Sequence, residues 1–97
     1  MGLKVVTMTP VQHDRLMAST LFLTQLVGRG LLEMHLPQTS SSTQHFQFLQ
    51  QLARTAKNDS KELFHDMYRY NRFAKSIPTT LVDSFQKSLR SLDRGYN

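Results

Sequence analysis

The chain has 97 residues, is 39% hydrophobic and 20% charged, lacks cysteine and carries a formal charge of +5. Its length fits one small domain with a single core, and the missing thiols exclude a disulfide framework and thiolate metal sites. No apolar run reaches the roughly 18 residues of a membrane span and no signal-peptide pattern opens the chain, so the expectation is a soluble, cytoplasmic protein without membrane contact.

In chain order, Leu3-Lys4-Val5-Val6-Thr7-Met8 is a short β-leaning run with no partner strand elsewhere in the sequence. A lone strand leaves its backbone groups unpaired, so residues 1–8 read as a tail or as a strand whose sheet lies on another domain. From Thr9 to about His35 the sequence predicts a long helix, with Thr9 as N-cap, Pro10 at the first helical position and Gln12 three residues after the cap. Such a helix reaches roughly 40 Å, more than one small core needs. At 100° per residue Asp14, Ala18, Leu21, Gln25 and Leu32 fall on one line, while Leu16, Leu23, Val27 and Met34 form a second stripe widened by Met17, Phe22 and Leu31. Contact on more than one side is expected, with Ala18, Gly28 and Gly30 allowing a neighbour's backbone to come close.

Leu36 to Ser42 is a loop by composition, closed off from the first helix by Pro37. A second helix is predicted from about Thr43 to Lys57, with Phe46, Phe48, Leu49, Leu52, Ala53 and Ala56 on its apolar arc. Arg54 leaves that arc and projects between Gln47 and Gln50, which by spacing alone makes it a solvated surface arginine. Asn58-Asp59-Ser60 reads as a turn and N-cap, with Glu62 completing a box on Asp59. The third helix carries Leu63, Phe64, Met67, Tyr68, Tyr70, Phe73 and Ala74. Ile77-Pro78 then breaks or kinks the chain, and Leu81, Val82, Phe85, Leu89 and Leu92 form a last amphipathic helix ending near Gly95. The fold class expected is all-α: a small bundle of four to five helices built on the long first one, with residues 9–97 as one domain and a dimeric partner on its excess apolar surface.

Candidate chemistry is sparse. The basic residues are dispersed, which describes a solvated surface better than a nucleic-acid interface. Arg69, Arg72 and Lys75 stand beside aromatics, a pattern open to stacking on single-stranded nucleic acid, but a core stripe with a basic edge is the simpler reading. His13, His35, His45 and His65 show no metal-ligand spacing. The neighbours His13 and Asp14 point about 100° apart on a helix and make no ready dyad. With no phosphate loop and no nucleophile elbow, no complete catalytic apparatus is present in the sequence.

The blocks His13-Asp14-Arg15-Leu16-Met17-Ala18, Phe22-Leu23-Thr24-Gln25, Val27-Gly28-Arg29, Arg54-x-Ala56-x-x-Asp59-Ser60, Glu62-Leu63-Phe64 and Tyr70-Asn71-x-x-Ala74 resemble, in order and spacing, the C-terminal helical domain of the prephenate and arogenate dehydrogenase family. The likeness runs from about Gly2 to Leu92, and its second half, with Asp59-Ser60-x-Glu62-Leu63-Phe64 and Tyr70-Asn71, is nearest the arogenate-dehydrogenase-like branch. It implies an oxidoreductase of tyrosine biosynthesis in which an N-terminal dinucleotide-binding domain holds NAD or NADP and the catalytic histidine, while the helical domain forms the dimer and closes the cleft. Residues 1–8 would then be the last strand of a missing cofactor domain, and this chain would bind no cofactor and catalyse nothing alone. By the resemblance Arg54 binds a carboxylate of prephenate or arogenate, and Gln25, standing where most relatives have histidine, orients substrate without titrating. His13 and Asp14 fall at the domain junction and shape the cleft wall. The alternative is a stand-alone, non-enzymatic helical module for dimerisation or regulation derived from the same fold.

Overall fold

A computed structural model describes residues 7–40 and 43–95; most of the β-leaning run, residues 3–6, lies outside them, and Thr7 and Met8 are irregular. Helix α1 (Pro10–Met17), a π-helical turn (Ala18–Phe22) and helix α2 (Leu23–Glu33) follow without a break and form one rod of about 35 Å. Thr9 caps it as expected, its hydroxyl accepting from Gln12 N–H at 3.1 Å while Gln12 Oε1 accepts from Thr9 N–H at 3.0 Å. Then come α3 (Gln44–Asn58), α4 (Lys61–Tyr70), a 3-10 turn (Arg72–Ala74) and α5 (Ile77–Arg94), with no strand among the described residues. The small all-α bundle expected from the sequence is the fold observed.

The π turn corrects the expectation of one regular helix. A wider turn takes up an extra residue. The buried line runs Ala18, Phe22, Gln25 and Gly28, at spacings of four and three, and Leu21, placed on that line by the sequence reading, stays exposed. Carbonyls near the turn are taken up by hydroxyls: Thr20 donates to Leu16 O at 2.6 Å and Ser19 to Arg15 O at 3.1 Å.

Two packing centres hang on the rod. The first is Phe22, 2% exposed, grouped with buried Ala18 and Ala74 and flanked by Leu26, Met67, Phe73 and Ile77. Its ring stacks on Phe64 with centroids 5.3 Å apart and lies 6.0 Å from Tyr68, an arrangement that adds to area burial. The third helix ends at Tyr70 rather than running to Ala74. There Asn71 caps the 3-10 turn, its Oδ1 accepting from Phe73 N–H at 3.0 Å and its Nδ2 donating to Asp14 O at 2.8 Å. The second centre joins α2 to α3. A Cβ on Gly28 would stand 2.7 Å from Leu52 O and 3.0 Å from Ala56 Cβ, so only glycine permits this approach. Gly30, expected to do the same, faces open space.

Helix α3 differs from its predicted arc. Phe48 and Leu49 are exposed, and Gln50 is buried, donating from Nε2 to Pro37 O at 2.8 Å and Thr39 O at 3.3 Å. With only α2 packed closely against α3, the arc has no second neighbour to cover it, and the Gln50 amide pins the connecting loop instead. Pro78 opens α5 at its first turn, and Gly95 closes it at φ 77°. The α5 stripe is left bare: Phe85 and Leu89 are each 58% exposed and Leu92 76%.

Candidate functional site

The block Arg54-x-Ala56-x-x-Asp59 is where structure and chemistry separate. Ala56 is buried against Gly28. Asp59 was expected to cap α4, but Ser60 does so, its Oγ accepting from Leu63 N–H at 3.0 Å. The Asp59 carboxylate instead accepts from Gln25 Nε2 at 2.6 Å, and its backbone carbonyl accepts from Arg29 Nη2 at 3.2 Å. The Asp59 peptide therefore ties the α3–α4 corner to α2, and a carboxylate held there is unavailable for capping. Arg29 also lies over the Phe64 ring at 4.9 Å, linking this corner to the Phe22 centre.

Among the described residues Arg54 has no ion pair and no hydrogen bond, and its side chain is exposed. It stands between two concavities. One, of about 480 Å³, is walled by amides and hydroxyls including Gln47, Gln51 and Ser40. The other, of about 460 Å³, mixes Leu32, Leu36 and Ala53 with His35, Gln50 and Lys57. A guanidinium on such a wall offers a planar fork of donors to a carboxylate.

Gln25 is not brought to Arg54. It is 5% exposed, its Nε2 is committed to Asp59, and its Oε1 and the Nε of Arg29 are buried without a partner. Neither concavity beside Arg54 is lined by Gln25. His13 and Asp14 lie exposed on α1, well away in the chain from both. Their side chains approach more closely than helix spacing alone suggested, His13 Nδ1 to Asp14 Oδ1 at 3.9 Å, because both are free to swing toward each other. That separation is still beyond a hydrogen bond. The concavity next to them is lined by Gln12, Arg15 and Ser19.

The basic edge spends its cations on its own rings. Arg15 and Arg72 cover Phe73 at 4.9 and 4.8 Å, and Lys75 covers Tyr68 at 4.1 Å. Among the described residues no three histidine or carboxylate side chains gather as metal ligands, and no helix is long and apolar enough to cross a membrane. Nor do these residues fit a dinucleotide: Gly28 is packed against α3, Gly30 lies inside a helix and Gly95 ends one, so none opens a helix to cradle a pyrophosphate.

Sequence reasoning missed Asp59, Arg29, Asn71 and Phe22 as the residues that join the elements. The signal for them was the spacing of the family-like blocks, whose positions fall on these contacts.

Comparison with known proteins places these features. Residues 30–96 match the family described as TYRAAT1-like, C-terminal domain. Arg54, Asp59 and Asn71 lie inside that span; His13, Asp14 and Gln25 precede it. Over 70 residues, 72% of this chain, the sequence is 31% identical to arogenate dehydrogenase 1, chloroplastic, of Arabidopsis thaliana, and equally to arogenate dehydrogenase 2, chloroplastic, of the same plant. The chain spans 11% and 20% of the length of those two relatives.

Proposed function

The chain belongs to the TYRAAT1-like C-terminal domain family, a C-terminal domain of the prephenate and arogenate dehydrogenases, and on that premise we propose that it supplies substrate-carboxylate binding and a dimer contact to an NAD(P)-dependent dehydrogenase of tyrosine biosynthesis. The observation that carries the proposal is the division of labour within one motif: Ala56 and Asp59 are consumed by packing, while Arg54 has no hydrogen-bond or ion-pair partner among the described residues and lines two concavities. A charged donor without an internal role, on the wall of a cleft, is placed for an anionic ligand. Gln25 acts in this reading from beneath, by fixing the α3–α4 corner beside the ligand wall rather than by touching the ligand.

The cofactor and the group that moves the hydride belong to a dinucleotide-binding domain, so the 97-residue chain alone reduces neither NAD nor NADP. The unpartnered α5 stripe supports the dimer. Phe85, Leu89 and Leu92 recur on one face at spacings of four and three, the pattern of a helix seated against another helix. A cytoplasmic setting is part of the reading; the two plant relatives are named chloroplastic.

The test joins the chain to a dinucleotide-binding domain and compares Arg54→Ala with the parent. Weakened binding of prephenate or arogenate with unchanged folding supports the proposal, and unchanged affinity overturns it. The Gln25–Asp59 bond favours the alternative, a non-enzymatic dimerisation or regulatory module, because it turns a position expected at the substrate into an internal tie. Unchanged affinity in Arg54→Ala together with an intact dimer is the outcome that reading requires.

A further inference from the structure

Arg15 leaves α1 and Arg72 leaves the 3-10 turn, yet both come to rest on one ring: their guanidinium carbons stand 4.9 and 4.8 Å from the centre of Phe73. The two charges are therefore held within about 10 Å of each other, where like charges repel. Among the described residues neither head group has an ion pair or a hydrogen bond to offset that repulsion. A ring engages only the face of a guanidinium, so the N–H groups in its plane are left to donate. The two elements are tied together by Asn71, which donates to Asp14 O at 2.8 Å and accepts from Phe73 N–H at 3.0 Å. Arg15 also lines the concavity of about 540 Å³ at the start of the rod. There Gln12 has its Oε1 taken by Thr9 N–H and its Nε2 left over as a donor, Met8 and Leu16 supply apolar wall, and no carboxylate lines the space.

We infer that Arg15 and Arg72 form a site for the phosphate of a small phosphomonoester, whose organic body lies in the adjoining hollow against Met8 and Leu16. A phosphomonoester carries a charge of about −1.5 to −2 at neutral pH on three acceptor oxygens, enough to serve both forks at once. Hydrogen bonds of about 2.8 Å place guanidinium carbon and phosphorus roughly 4–5 Å apart, so one phosphate reaches both arginines. A single carboxylate satisfies one fork and leaves the other charge uncompensated. The site is separate from Arg54, which lies on α3, and does not depend on the substrate reading above.

The experiment is calorimetric titration of the full 97-residue chain with phenyl phosphate and with benzoate at physiological salt, repeated on Arg15→Ala, Arg72→Ala, Arg54→Ala and Lys87→Ala, with a thermal melt of each variant to confirm folding. Phenyl phosphate is expected to bind about tenfold or more tightly than benzoate, and Arg15→Ala and Arg72→Ala each to lose roughly tenfold of that affinity. Arg15→Lys and Arg72→Lys should recover only part of it, because an ammonium has no fork. Arg54→Ala and Lys87→Ala should bind as the parent does. Failure of phenyl phosphate to bind, or equal affinity for the two anions, overturns the site. So does an equal loss in Lys87→Ala, which removes the same charge from α5 and would mean diffuse attraction to a basic chain. Loss confined to Arg54→Ala overturns it too and moves the phosphate to the wall of α3. Flotation with phosphatidylcholine vesicles carrying phosphatidate separates the remaining source: capture by those vesicles without binding of phenyl phosphate overturns the small ester in favour of a lipid headgroup.

Discussion

Buried Gln25 and half-buried Asp59, 34 residues apart in the chain, meet amide to carboxylate at 2.6 Å in the corner between α2 and the α3–α4 turn. A buried donor that loses its acceptor suffers the full cost of desolvation. Asp59→Ala should therefore lower stability by about 1–3 kcal/mol, read from urea unfolding, with Asp59→Asn recovering part of it because one acceptor oxygen remains. Equal stability of both variants would remove this tie from the account of the fold.

The two helical glycines of the rod predict opposite signs. Gly28→Ala drives a methyl into Leu52 O and Ala56 at 2.7 and 3.0 Å, and overpacking of this kind costs about 1–3 kcal/mol. Gly30→Ala meets nothing within 4 Å and should stabilise by about 1 kcal/mol through helix propensity alone. Thermal melts of the pair check both signs at once.

Arg54 should separate binding from folding. It is exposed and makes no hydrogen bond or ion pair among the described residues, so Arg54→Ala ought to leave stability within about 0.5 kcal/mol of the parent. Arg54→Lys keeps the charge and loses the fork, and should bind substrate less tightly than arginine but better than alanine. A lysine variant indistinguishable from the parent would mean that charge alone, not geometry, is being used.

The bare stripe of α5 carries the prediction for assembly. Leu89→Lys places a charge where 58% of the leucine is already open to water in the single chain, so a monomer should tolerate it. If α5 seats against a second copy, the same change buries a charge and dissociates the dimer. Sedimentation at tens of micromolar distinguishes the cases: a dimeric parent and a monomeric variant are expected, and a monomeric parent counts against the two-fold contact.

Phe22 should be the most sensitive apolar position of the rod. It is the largest side chain buried almost completely, and two aromatic rings stack on it. Phe22→Ala is expected to cost about 3–5 kcal/mol, enough to unfold a small domain of ordinary stability at ambient temperature. A cooperative melt close to the parent's would show that the aromatic cluster is peripheral.

Helix boundaries were legible in the sequence because they rest on local chemistry. Thr9, Thr43 and Ser60 each place an oxygen three residues ahead of an N–H that needs one, and Pro10, Pro78 and Gly95 mark ends by their own backbone limits. Which face turned inward was less legible. Periodicity at 100° per residue puts Leu21 and Phe22 on either side of Ala18 and cannot tell which of the two a neighbour will cover, nor that Gln50 would be drawn inward by two loop carbonyls. Asp59 was misread for a related reason: as a cap it had a partner three residues away in the sequence, while its actual partner comes from another helix. Arg54 was recognisable only through the family pattern, since an unpaired surface arginine looks the same whether or not a ligand awaits it.

The π turn also bears on how the gene can change. A turn that takes up one extra residue lets the chain beyond it keep its face, so losing one codon there would leave a regular helix with the Gly28 seat nearly in register. The same loss in an α-helical stretch of the rod would swing everything beyond it by about 100° and part the ring cluster from that seat. The exposed residues of the turn, Ser19, Thr20 and Leu21, are therefore where the rod should best tolerate a deletion.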